Sequence, residues 1–105
     1  MTKVDVVTGV CGFRAQIEAQ ADEAFNVNLV INSDCPRVSK LAGPLAQVAP
    51  LDDMRKPMNE TAVYVAASAC KLHAACPVPC AIHKAIEVAA GLALPSDVSI
   101  EINNS

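Results

Sequence analysis

The chain has 105 residues, a formal charge of −3, two phenylalanines, one tyrosine and no tryptophan. That length suits one domain, residues 1–105, with its own core, built from small side chains because alanine and valine dominate the apolar residues. Singly scattered Lys and Arg on an acidic chain argue against nucleic-acid binding, which needs a basic patch to displace counterions, and no apolar run nears the roughly 20 residues of a membrane span.

The opening, Met1-Thr2-Lys3-Val4-Asp5, has no apolar stretch of the kind that marks a secretory leader. The expected location is therefore cytoplasmic, where thiols stay reduced unless a metal or a catalytic cycle uses them. Residues Lys3 to Val10 are rich in β-branched side chains and predict a first strand. Gly9 and Gly12 bracket Cys11 and predict a tight turn. From Phe13 to Asp22 apolar and polar residues alternate without a fault, and Asn26 to Asn32 alternates again with Val27, Leu29 and Ile31 on one face. Period-two patterning of this kind makes strands with one buried and one wet face.

A helix is expected from Pro36 to about Val48, with Gly43-Pro44 as a kink or break. Pro50 to Pro57 reads as a polar connection. A second helix is expected from Asn59 or Glu60 to Leu72, and its alanine content suits close helix–helix contact in a homodimer. A proline-broken loop, His73 to Val78, leads to a third helix from Pro79 to Ala90, stopped by Gly91. Val98, Ile100 and Ile102 alternate and predict a last short strand. The fold class is then α+β: a three-stranded antiparallel meander, three helices packed on one face of it, and a short C-terminal strand.

Five cysteines are a high count for this length, and four adjoin glycine or proline: Cys11, Cys35, Cys76 and Cys80. An odd count fits a closed disulfide framework poorly. In a meander the ends of the first and third strands share one edge of the sheet, so Cys11 and Cys35 fall about 10 Å apart, two strand spacings. Cys76 and Cys80 stand at the start of the last helix, which can cap that edge. Helix N-termini stabilise thiolates, the metal-binding and nucleophilic form. His83 is three residues after Cys80 on a helix, and His73 is three before Cys76 on a loop, so each imidazole can add to a thiolate set. Thiolates with imidazole suit zinc or an iron–sulfur cluster rather than magnesium or calcium. Cys70 continues the apolar stripe Val63, Ala66, Ala67 and reads as core. Asp34 reads as a cap or turn former, and Lys71, Lys84 and Glu87 as a solvated face.

This order of elements resembles the U-type iron–sulfur cluster assembly scaffolds, the NifU/IscU-like family with the SufE/NifU fold. Cys11-Gly12 matches the first cysteine of that family's Cys-Gly-Asp element. Cys35, in Asn32-Ser33-Asp34-Cys35-Pro36, matches the second, and Cys76 or Cys80 matches the third. The resemblance spans roughly Val4 to Gly91. It implies an iron–sulfur cargo, a sulfur-donor protein and a cluster-acceptor protein. The chain departs from the family in five respects, the first being the extra C-terminal strand predicted here. Phe13 replaces the aspartate linked to cluster release. His73-Ala74-Ala75-Cys76 opens out the His-Cys pair. Arg37 to Gly43 replaces a serine- and alanine-rich tract, and the family's initial helix is missing. Without the aspartate, and with a fourth thiol to close the shell, a tightly held centre is implied.

The leading expectation is thus a small metal- or cluster-binding protein using Cys11, Cys35, Cys76 and Cys80. Two alternatives stand beside it. One is a persulfide sulfur carrier with Cys35 or Cys80 as the reactive thiolate. The other is a metal-free interaction module whose cysteines only pack. No Ser–His–Asp set, phosphate loop or paired-carboxylate motif suggests another chemistry.

Overall fold

Three alternating segments and one short addition form an antiparallel sheet in the order β1-β2-β3-β4. In the computed structural model, which describes residues 1–104, these are β1 (Thr2–Val7), β2 (Arg14–Ala21), β3 (Val27–Ser33) and β4 (Gln47–Val48). Register follows the apolar pattern: Val4 pairs with Ile17 and Ile17 with Ile31, while Ala19 pairs with Leu29. Because cross-strand partners share a face, these residues form one apolar layer. Lys3, Asp5, Gln16, Gln20, Asn28 and Asn32 line the wet face. The β2–β3 turn is closed by Asp22, whose Oδ1 accepts from the Ala24 and Asn26 N–H groups at 2.9 and 3.0 Å.

The first strand ends at Val7, earlier than the expected Val10. Gly9 and Gly12 both take positive φ, 88° and 75°, and turn the chain through Val10 and Cys11. The Gly12 N–H donates to Gly9 O at 2.9 Å, and the Thr8 N–H reaches Phe13 O at 3.2 Å.

The helix expected from Pro36 to Val48 is much shorter. Only α1 (Pro36–Ser39) and a 3-10 turn, Lys40–Ala42, are helical. Pro44 has no N–H to continue the ladder, and the chain reverses after Gly43. Gln47 and Val48 then pair with Asn28 and Val27 as the fourth strand. Leu41, Leu45 and Val48 are all buried, so these apolar residues reach the core through a turn and a strand rather than along one helical stripe.

Two further boundaries differ from expectation. Pro50–Met54 is a short helix, α2, in place of a polar connection. Pro50 occupies its first turn, and Asp52 and Asp53 follow at the positive end of the helix dipole. The next helix, α3, runs only from Ala62 to Ala69, because the Thr61 side chain caps it by accepting from the Tyr64 N–H at 3.3 Å. It ends in a left-handed residue, Lys71, with φ 58°. The last helix, α4 (Val78–Ala89), stops as expected. Gly91 takes φ 74°, and the Leu92 N–H donates to Glu87 O at 2.8 Å. Among the described residues four α-helices are therefore formed where three were expected.

The expected C-terminal strand is not formed among the described residues. Val98, Ile100 and Ile102 are exposed, and their backbone reaches no neighbouring strand. A strand exists only when another supplies hydrogen-bond partners.

The helices cover the apolar face of the sheet. The α4 helix lies across β1 and β2, and α1 packs on β3. Ile82, Ala85 and Ile86 of α4 meet Ile17, Val27, Val38, Leu41 and Val63 in one cluster. Among the described residues no helix is long and apolar enough to cross a membrane.

Candidate functional site

At the edge where β1 ends and β3 ends, two loops are tied together through the first residue of β2. The Arg14 N–H donates to Asp34 Oδ1 at 2.9 Å, and the Ser33 hydroxyl donates to Arg14 O at 2.6 Å. The same Ser33 oxygen accepts from the Cys35 N–H at 3.0 Å. One end of this network fixes the glycine turn that carries Cys11. The other fixes the residue ahead of α1, Cys35.

Cys76 arrives from a third direction. Its N–H closes a turn on His73 O at 2.9 Å, two residues ahead of α4. Cys35 and Cys76 are half-buried and Cys11 is exposed. Burial pushes the Cys76 thiol above its ordinary range, and the Val78 N–H pulls against that. The neighbouring Cys35 and Cys11 sulfurs push it up further, since a second and third thiolate would repel its charge. Cys76 therefore lies within electrostatic reach of both. Three elements distant in sequence thus carry thiols of which one, Cys76, feels the charge of the other two.

Cys11 is pushed the other way. Thr8 Oγ1 lies 2.8 Å from its Sγ and 2.5 Å from Phe13 O, and when the hydroxyl turns its one proton from that carbonyl to the sulfur this hydrogen bond favours the thiolate. The Phe13 backbone adds to the effect, while the nearby Asp34 carboxylate opposes it. The rim thus holds an exposed sulfur biased toward thiolate and a half-buried one biased toward thiol.

The other expected ligands lie elsewhere. Cys80 is exposed and beside Tyr64 of α3, whose phenol is pushed up by burial and then by the Cys80 charge. His73 is exposed and contributes its carbonyl to the Cys76 turn. His83 belongs to a separate cluster. Its Nε2 lies 3.3 Å from Thr61 Oγ1 and its Nδ1 4.0 Å from Asp53 Oδ2, and its ring stacks on Tyr64 at 5.6 Å. Cys70 is half-buried against the core. Among the described residues no three His, Cys, Asp or Glu side chains already surround a single point as metal ligands.

Two contributors to these clusters escape sequence reading. Thr8 tunes Cys11 but looks like any strand-end threonine. Asp53 is 2% exposed, with Oδ1 accepting from the Ala62 N–H at 2.5 Å and Oδ2 without a hydrogen-bond partner. A signal for Asp53 was present in Pro50-Leu51-Asp52-Asp53, a proline followed by acids, which is the composition of a helical first turn.

No curated protein and no solved structure matches this chain. A match over residues 2–102 places it by sequence: the chain belongs to DUF6951, a family of unknown function.

Proposed function

We propose that the protein binds a soft metal ion or an iron–sulfur cluster through Cys11, Cys35 and Cys76. What supports this reading is the hydrogen-bonded tie between the β1–β2 turn that carries Cys11 and the β3–α1 junction that carries Cys35, together with the charge of both thiols reaching Cys76 ahead of α4. Mutual repulsion among adjacent thiolates is relieved by a cation, and sulfur donors select zinc or iron–sulfur over oxygen-loving metals. The donor set fits such a group in kind. Closing it needs side-chain rotation, and Cys11 sits on a turn of two left-handed glycines with open space around each. Three ligands leave one position for exchange, which suits a carrier or scaffold. The layout resembles the NifU/IscU-like scaffolds in the same three places, and a sulfur donor and a cluster acceptor are then the partners. Free thiols of this kind suit a reducing cytoplasm.

Anaerobic incubation with zinc, or with ferrous iron and sulfide, tests the reading. The expected result is about one zinc per chain, or visible thiolate-to-iron absorbance. Either signal is lost in Cys76→Ser and kept in Cys70→Ser and Cys80→Ser. Protein that stays free of metal under both conditions overturns it.

A second reading rests on the Thr8–Cys11 hydrogen bond. An exposed, acidified thiol can receive sulfur: Cys11 thiolate attacks the outer sulfur of a donor's persulfide, a new S–S bond forms at Cys11, and the donor leaves as thiolate. Mass analysis after exposure to a persulfide donor then finds one added sulfur atom on Cys11. Its absence there removes this reading.

A further inference from the structure

Residues 97–102 have the sequence of a strand and the surroundings of a free tail. Val98, Ile100 and Ile102 alternate with Asp97, Ser99 and Glu101, yet they are 57%, 74% and 87% exposed. From residue 93 onward no backbone hydrogen bond is made among the described residues. At the other end of the chain, β1 is bonded on one side only, to β2. Its outer row of N–H and C=O groups is unpaired, a template for strand addition.

We propose that the tail of one copy adds to the β1 edge of a second copy, reciprocally, so that two chains exchange C-terminal strands. The side chains choose both partner and register. Antiparallel pairing with Lys3 opposite Glu101 sets Val4 opposite Ile100 and Val6 opposite Val98. Val4 and Val6 belong to the core face and Lys3 to the wet face. The tail's apolar residues therefore extend the apolar layer, and the opposite charges meet in water. Asp5 then faces Ser99. Sliding the tail by two residues in either direction keeps the faces but sets Asp5 against Asp97 or Glu101, a like-charge pair. A one-residue slip turns Ile100 to solvent. One register thus satisfies both the apolar and the charged positions. A two-fold pair uses it twice, because each copy contributes one edge and one tail. The tail does not pair with its own β1, which leaves both elements of each chain free for the other. This interface is independent of the thiol rim.

Light scattering or sedimentation of the full chain in reductant, where no intermolecular disulfide contributes, tests the exchange. The parent is expected at twice the single-chain mass. Ile100→Asp, which sets a carboxylate against Val4, is expected at the single-chain mass with its helical circular dichroism signal unchanged, since Ile100 lies outside the core. Lys3→Glu weakens the dimer about two- to thirtyfold and Lys3→Glu with Glu101→Lys restores it, the range expected of two cross-strand pairs, one at each symmetry-related edge. A parent at single-chain mass up to millimolar concentration overturns the proposal, as does a dimer that survives Ile100→Asp. Hydrogen-exchange protection of residues 97–102 in a single-mass species also overturns it, because the tail then pairs with its own edge.

Discussion

The Arg14 amide and the Asp34 carboxylate, 2.9 Å apart, join the turn that carries Cys11 to the junction that carries Cys35. Asp34 does two jobs at once. Its Oδ1 holds β2 to the β3–α1 loop, and its charge lifts the Cys11 thiol against the pull of Thr8. These effects separate by substitution. Asp34→Asn keeps an acceptor for the Arg14 N–H and deletes the charge, so Cys11 becomes more acidic with little loss of stability. Asp34→Ala deletes both and costs about 1 kcal/mol. The pH dependence of Cys11 alkylation and denaturant midpoints read the two effects.

Thr8 acts on the same sulfur from the other side. Thr8→Val preserves shape and removes the hydroxyl that lies 2.8 Å from Sγ. The Cys11 thiol then rises, and its iodoacetamide reaction at neutral pH slows. An unchanged pH profile shows that the hydroxyl does not tune this thiol.

His83 makes stability depend on pH. Burial, the largest influence, holds its imidazolium form below the ordinary histidine range, against the pull of Asp53 and Glu87. Between the depressed folded pKa and the unfolded value of about 6.5, the unfolded chain binds more protons than the folded one. Stability therefore rises with pH through that window and is lost as pH falls from about 6.5. Thermal melts are expected to fall across this range in the parent, with the slope reduced in His83→Gln. Equal slopes in both proteins contradict the assignment.

Asp53 leaves one buried carboxylate oxygen unpartnered. Asp53→Asn retains an acceptor for the Ala62 N–H and offers an N–H₂ toward His83 Nδ1 in place of the orphan oxygen. Above neutral pH this variant is expected to match or exceed the parent in denaturant midpoint. Asp53→Ala, which strips the acceptor from a buried amide, loses about 1–3 kcal/mol.

Lys71 ends α3 in the left-handed region, φ 58°, with its N–H on Ser68 O at 3.0 Å and the Leu72 N–H on Ala67 O at 3.0 Å. Gly91 plays the same part after α4 without a Cβ. Lys71→Gly should stabilise the fold by about 0.5–1 kcal/mol, the strain of a side chain at positive φ less the added freedom of the unfolded glycine. Denaturant unfolding measures it directly.

The sheet was legible because alternation is a local property. Phe13 to Asp22 and Asn26 to Asn32 announce β2 and β3 within a residue or so of their ends. The closing of α4 was legible for a similar reason, since a glycine just beyond an apolar helix supplies its own stop. The segment from Pro36 to Val48 was not. Leu41, Leu45 and Val48 have helical spacing, and only the contact of Gln47–Val48 with β3 turns the last of them into a strand. The C-terminal alternation erred in the opposite direction, because a pattern fit for a strand does not supply the neighbour that makes one.

Composition and spacing by themselves determined an α+β fold of small side chains, with cysteines at the boundaries of its elements. They left Cys76 and Cys80 equivalent, and His83 as a third candidate beside them. Only the tertiary structure separated these residues, since which side chains share a rim depends on how α4 is seated over β1 and β2. That seating lets the charges of Cys11 and Cys35 reach Cys76, lets the charge of Cys80 reach Tyr64, and commits His83 to Thr61 and Asp53. Electrostatic reach depends on distance in space, and residue spacing encodes that distance only within a single helix or strand.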